Sequence, residues 1–150
     1  MDVSIRTASP ADRAEISDVF RRASLSNEGD RDDLLAHPEL LEFDATWLHT
    51  GRTRVAVTDG RIVGFATTRP VDHEAVELDD LFVEPMCMRL GIGRALVVDA
   101  VAAVHQEGAA RIEVSANVHA LAFYESAGFV ADGMVETQFG FTPRMHLDVG

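Results

Sequence analysis

The segment Met88-Arg89-Leu90-Gly91-Ile92-Gly93-Arg94 is a Gly-x-Gly turn opening a helix, by itself a weak signal of phosphate binding. Two glycines one residue apart open a run of helical periodicity. Backbone amides at a helix start point outward without intrahelical partners, and glycines let a phosphate approach them closely. A bound pyrophosphate is one reading of this turn; a tight strand-to-helix connection that binds nothing is the other. Two familiar phosphate loops are excluded. The dinucleotide fingerprint needs a third glycine three residues after the second, where Leu96 stands. The nucleoside triphosphate loop needs Gly-Lys-Ser/Thr, and this chain contains no lysine. Upstream, Glu77 and Asp79 share one face of a regular strand while Asp80 faces the other way. His37, His49, His73, His105, His119 and His146 show no metal-ligand spacing. Cys87, as the only cysteine, forms neither an intrachain disulfide nor a thiolate cluster, so no metal is expected.

The elements that must position these groups follow from periodicity and turn chemistry. Val3 to Thr7 reads as a short strand. Ser9 caps a helical run opened by Pro10 and Ala11, in which Ile16, Val19 and Phe20 repeat at helical spacing. One or two short helices are expected, at Asp32 to Ala36 and Asp44 to Thr50, interrupted near Pro38. Arg54 to Thr58 and Arg61 to Thr67 flank Asp59-Gly60, the pair a tight hairpin turn favours. Ala75 to Val83 is the next strand. Gly91 to Glu107 is a long helix stopped by Gly108, with Leu96, Val97, Ala100, Val101 and Val104 on its apolar face. Arg111 to Ser115 is a strand and Val118 to Ser126 a helix closed by Gly128. Strands at about Phe129 to Thr137 and Thr142 to Asp148 end the chain. Strands and helices mix without strict alternation, which predicts an α/β fold with a mixed, mainly antiparallel sheet flanked by helices.

The chain has 150 residues and neither repeats nor a low-complexity linker, which fits one domain over 1–150. Its 47% hydrophobic and 25% charged residues are those of an ordinary globular protein. No apolar run approaches the ~18 residues of a membrane span, and no signal-peptide pattern opens the sequence. With a single cysteine this gives a cytoplasmic expectation and no membrane partner. The formal charge of −12 repels a polyanion, so a general nucleic-acid binder is not expected, while a cationic amine would be attracted. The same charge also serves solubility alone.

In combination the motifs become specific. Glu77-Leu-Asp-Asp-Leu-Phe-Val83, Glu84-Pro85, Gly91-Ile-Gly93-Arg-Ala-Leu96 and Asn117-Val-His-Ala-Leu-Ala-Phe-Tyr124-Glu-Ser-Ala-Gly128-Phe129 follow in order. This pattern resembles the GNAT superfamily of acyl-CoA-dependent N-acyltransferases over residues 76 to 130. The resemblance implies transfer of acetyl from acetyl-CoA to a primary amine, on a small molecule or a peptide amino terminus. It places the pantetheine arm along Leu81, Phe82 and Val83, and the pyrophosphate on Arg89, Leu90, Gly91, Ile92, Gly93 and Arg94. Asn117 is implied as a cofactor contact, although an ordinary helix cap also suits Asn.

Tyr124, the only tyrosine, falls where the family keeps its general acid, which protonates the departing thiolate and so lies near the cofactor. Packing alone is its other role. Glu77 falls where some members carry a catalytic base, with Asp79 as the second candidate; a solvated strand carboxylate is the plain reading of each. The family's frequent dimers extend to a homodimer here. One departure concerns the position three residues before the first glycine, usually Arg or Gln and often followed by Gly. Met88 and Arg89 stand there, so a side-chain phosphate contact is either lost or supplied by Arg89. A different outcome of the same fold is a catalytically silent acyl-CoA-binding or regulatory domain, and another is a longer acyl donor. The acidic stretch from Asp30 to Asp44 lies where the family shapes its acceptor pocket, and a solvated acidic face explains it equally.

Overall fold

The computed structural model describes residues 2–137 and 140–150. Seven strands and four α-helices follow in chain order: β1 Ser4–Thr7, α1 Arg13–Leu25, α2 Glu28–Ala36, β2 Thr53–Thr58, β3 Arg61–Pro70, β4 Ala75–Val83, α3 Ile92–Gln106, β5 Arg111–Ser115, α4 Leu121–Ser126, β6 Val130–Thr137 and β7 Gly140–Asp148. Hydrogen-bonded neighbours follow the order β1-β2-β3-β4-β5-β7-β6. β4 and β5 run parallel, whereas β1–β2, β2–β3, β5–β7 and β6–β7 are antiparallel, giving the mixed, mainly antiparallel sheet the sequence implies.

The chain forms two compact units. One comprises Met1–Thr67 and Asp80–Leu96, the other Thr68–Asp79 and Val97–Gly150. In the first, Ile16 and Val19 of α1 pack with Phe43, Leu48, Val55, Ile62 and Phe65 into an apolar cluster. Phe65 stacks on Phe82 (centroids 5.5 Å apart), and Phe20 meets Phe82 edge-on at 4.9 Å. Burying each such side chain contributes about 1.5–3 kcal/mol, and Phe82 ties the end of β4 to this cluster. Asp59 and Gly60 both adopt positive φ, 51° and 74°, as the two-residue turn between β2 and β3 requires. Glu15 of α1 accepts a hydrogen bond from the Ile62 amide (2.7 Å), which ties the helix to the hairpin just after that turn.

In the second unit the pairing is Glu77 with Glu113 across β4–β5, Glu113 with His146 across β5–β7, and Val130 with His146 across β6–β7. Val76, Leu78, Val97, Ala100, Val104, Ile112, Val114 and Met145 are buried. The alternation along β5 buries Ile112 and Val114 and leaves Arg111, Glu113 and Ser115 on the opposite, polar face.

Several element boundaries depart from expectation, among them β3, which runs on to Pro70, and β7, which starts at Gly140. α2 begins four residues early, at Glu28, with Glu28 and Asp30 in its first turn, where acidic side chains favour a helix start. The helix expected at Asp44 to Thr50 is reduced to a single 3-10 turn, Leu48–Thr50. Its start is diverted because the Asp44 carboxylate accepts the Thr46 amide (2.9 Å) and the Thr46 hydroxyl, a local alternative to helical pairing. The helix expected at Val118 to Ser126 is a 3-10 turn, Val118–Ala120, followed by α4.

Candidate active site

In the first unit, the last strand of the motif and the glycine turn converge on one residue. A Cβ at Gly64 would lie 3.1 Å from the Phe82 carbonyl oxygen and 3.2 Å from both Ile92 Cγ2 and Leu96 Cδ1. Glycine lets β3 pass close to the end of β4 and the start of α3, where any side chain would make its neighbours give by a few tenths of an ångström. Leu81, Phe82 and Val83 are half-buried, and the Glu84 amide donates to the Val63 carbonyl (2.8 Å) directly after them. Arg22 of α1 grips the Glu84 carboxylate through Nε and Nη2, both at 2.8 Å. The chain then turns through Pro85–Cys87 and emerges with Met88, Arg89, Leu90 and Gly91 all exposed.

Gly91 has φ +84° with open space around its α-carbon, and Arg89 has φ +66°. A left-handed residue with a side chain costs roughly 1–2 kcal/mol, which is a physical reason for glycine to be frequent at the Arg89 position in the resembling family. The first α3 hydrogen bond runs from the Ala95 amide to the Gly91 carbonyl (3.0 Å). The amides of Ile92 and Gly93 therefore precede the helical ladder and carry the positive end of its dipole. Ile92 is buried and so fixes the turn by packing, while the amides it orients suit a phosphate.

In the second unit, Glu77 and Asp79 stand at the point where β4 leaves β5. The parallel register covers Ala75↔Arg111, Val76↔Ile112 and Glu77↔Glu113. Both carboxylates are engaged by arginines that the sequence reading did not single out. Arg144 of β7 donates from Nη1 to Glu77 Oε2 (2.7 Å) and from Nη2 to Glu77 Oε1 (2.5 Å). The same guanidinium reaches Glu113 Oε2 (2.8 Å) and Ser115 Oγ (3.0 Å). Arg69 holds Asp79 through Nε (2.9 Å) and Nη2 (3.3 Å), and Arg111 holds Glu113 Oε1 (2.8 Å). Hydrogen bonding to Glu77 pushes Arg144 further above its ordinary value, so its charge is permanent. The hydrogen bond from Arg111 is the main cause that lowers Glu113. Glu77 is buried and Asp79 exposed.

Asn117 serves as the cap of the Val118–Ala120 turn: its Oδ1 accepts the His119 amide (2.8 Å). Tyr124 is buried, with its ring edge-on to Phe123 and Phe129, each at 5.3 Å. Burial pushes the phenol well above its ordinary value, so it is fully protonated at neutral pH. Among the described residues Thr142 Oγ1 alone is a sealed side-chain polar atom without a partner, so the Tyr124 oxygen is not sealed in that way.

Of the expected residues, the first unit contains Leu81, Phe82, Val83 and the run Arg89 to Arg94, and the second contains Glu77, Asp79, Asn117 and Tyr124. Arg144, Glu113 and Arg69 were missed because their partners are strands apart. A weak signal was present in the alternation Arg111-x-Glu113 and Arg144-x-His146-x-Asp148, which marks a polar face. Among the described residues no three His, Cys, Asp or Glu group to hold a metal, and no helix is long and apolar enough to cross a membrane.

The family model of the acetyltransferase (GNAT) family matches residues 16–129. A curated relative, serotonin N-acetyltransferase 2, chloroplastic, from Oryza sativa subsp. japonica, is 28% identical over 127 residues, 85% of this chain. The chain spans about 60% of that relative's length. Among solved structures, PaiA N-acetyltransferase from Thermoplasma acidophilum in complex with coenzyme A aligns with a TM-score of 0.76 at 18% identity, covering 99% of both chains. The ribosomal-protein-S18-alanine N-acetyltransferase from Escherichia coli aligns at 0.73 and 21% identity, covering 99% of this chain and 94% of that one. The match over residues 16–129, on a sheet that carries the glycine turn at the head of α3, shows that the chain belongs to the acetyltransferase (GNAT) family.

Proposed function

We propose that residues 1–150 act as one N-acetyltransferase domain, moving acetyl from acetyl-CoA to a primary amine by direct attack, without a covalent enzyme intermediate. The exposed turn Arg89 to Arg94, with Gly91 at φ +84° heading α3, is the observation that carries this reading. Acetyl-CoA, when bound, supplies the thioester acetyl group. The Ile92 and Gly93 amides hold its pyrophosphate, with Leu90, Gly91 and Arg94 as neighbours and Arg89 offering the cation that Met88 lacks. The backbone of Leu81, Phe82 and Val83 aligns the pantetheine arm. Asn117 contributes its free amide group.

Glu77 and Asp79 take the ammonium proton. A carboxylate gripped by one guanidinium keeps unused lone pairs, so each accepts the proton directly or through one water. Tyr124 acts as general acid by offering its hydroxyl proton to the departing sulfur. From a phenol whose burial raises its pKa, full transfer to a thiolate near 8.5 is uphill, so the hydrogen bond strengthens as the carbon–sulfur bond breaks rather than before it.

The acceptor class follows the chain's charge of −12, which draws a cationic amine. Serotonin and an alanine-initiated peptide are the first probes, as the groups named in the two relatives above. The reading keeps the enzyme cytoplasmic. It also allows a homodimer, for which exposed Met134 and Phe141, on one face of β6 and β7, offer apolar surface.

A second reading, an acyl-CoA-binding domain without turnover, is favoured by Met88 at the loop position that the family fills with Arg or Gln. Thiol release on mixing acetyl-CoA with the two amines separates them. Turnover that falls roughly 100-fold in Tyr124→Phe, with stability within about 0.5 kcal/mol of the parent, supports the first reading. Bound cofactor without thiol release on any amine supports the second.

A further inference from the structure

We infer that Arg144 is a positioning residue for Glu77, reaching from β7 across β5 to fix the orientation of the Glu77 carboxylate. The inference deepens the proposed function and rests on its assignment of Glu77 as proton acceptor.

Glu77 and Glu113 lie directly opposite one another in the parallel pairing of β4 and β5, and they form its last pair. Two like charges in that register repel, which would spread the strands where β4 departs. Arg144, opposite Ser115 on the adjoining strand, answers this with one guanidinium on Glu77, Glu113 and Ser115. Arg111 takes the other Glu113 oxygen, and Arg69 takes Asp79. The result is that both Glu77 oxygens are held in the plane of a rigid fork. Their remaining lone pairs are thereby turned away from Arg144, which limits the directions from which a water or an ammonium can approach. A lysine has one point charge and cannot hold two oxygens of one carboxylate in a plane while also reaching Glu113.

The test is a double-mutant cycle read in kcat, with thiol release from acetyl-CoA and serotonin or an alanine-initiated peptide as acceptor. Arg144→Lys keeps the positive charge and therefore the fold. Glu77→Gln is expected to lower kcat roughly 100-fold. Arg144→Lys alone is expected to lower kcat roughly 10-fold, with the KM for acetyl-CoA within about twofold. In the Glu77→Gln background, Arg144→Lys should change kcat by less than about twofold, because the group it positions is gone. Glu113→Gln leaves the fork on Glu77 and should retain kcat within about threefold.

The same 10-fold loss in the Glu77→Gln background, or an equal loss in Glu113→Gln, would assign Arg144 to scaffolding and overturn the inference. An unchanged kcat in Arg144→Lys overturns it as well. A parent chain that releases no thiol with any amine is a different result: it fails the transferase reading and takes this inference with it.

Discussion

The glycine turn and the polar face at the start of β4 offer chemistry of opposite kinds. The turn relies on main-chain amides and is exposed, with Met88 and Leu90 turned to solvent. The β4–β5–β7 face relies on side chains interlocked across strands, with Arg144, Arg111 and Arg69 matched to Glu77, Glu113 and Asp79. A main-chain site survives changes of side chain and is sensitive to backbone conformation. A side-chain site is sensitive to loss of the cation on its buried member, because removing Arg144 leaves Glu77 buried and uncompensated. The two regions should therefore fail under different substitutions.

The largest expected effect is on the interlocked face. Arg144→Met leaves Glu77, whose side chain is 11% exposed, without its cation, and should cost roughly 3 kcal/mol in a urea melt. A loss below about 0.5 kcal/mol would show that the clamp is ornamental and break the comparison. Gly64→Ala probes the packing beneath the turn. A Cβ 3.1 Å from the Phe82 oxygen must push β4 or α3 aside, at roughly 1–2 kcal/mol by the same melt.

Arg89→Gly should act with the opposite sign on stability, gaining roughly 1 kcal/mol by relieving the positive φ of +66°. If Arg89 also supplies the phosphate cation, the same variant binds CoA more weakly, which calorimetry resolves. A gain in both properties would remove Arg89 from the site.

The smallest effect serves as a control outside both regions. The hydrogen bond from Arg6 holds the Asp12 carboxyl down at about 2, against 3.8 ordinarily. A lowered folded-state value means that the pair stabilises above about pH 4 and that this is lost as the pH falls toward 2. Arg6 is half exposed, so Asp12→Asn should cost under about 1 kcal/mol at pH 7. Parent and variant melts should converge near pH 2; a gap that persists there would assign the effect to packing.

The same contrast explains what was legible in the sequence. β4 at Ala75–Val83 and β5 at Arg111–Ser115 are bounded as expected, since strand runs closed by turn residues such as Pro85 and Gly108 are local signals. The Asp59-Gly60 hairpin and the Gly91 turn are local too, each encoded in two adjacent or near-adjacent residues. Arg144 is not legible, because its relation to Glu77 depends on a register that joins residues 67 positions apart through β5. Asp44 to Thr50 misled for a local reason: a carboxylate that captures the Thr46 amide looks, in sequence, like a helix cap.

The central claim is that the turn heading α3 holds the phosphates of coenzyme A. Its most direct measurement is the unfolding midpoint with and without CoA and acetyl-CoA. Ligand at 100 times its dissociation constant stabilises by about 2.7 kcal/mol, a rise of several degrees for a domain of this size. The account predicts that rise with both ligands. No shift with either at millimolar concentration would contradict it, and would mean that the family fold is kept here for another use.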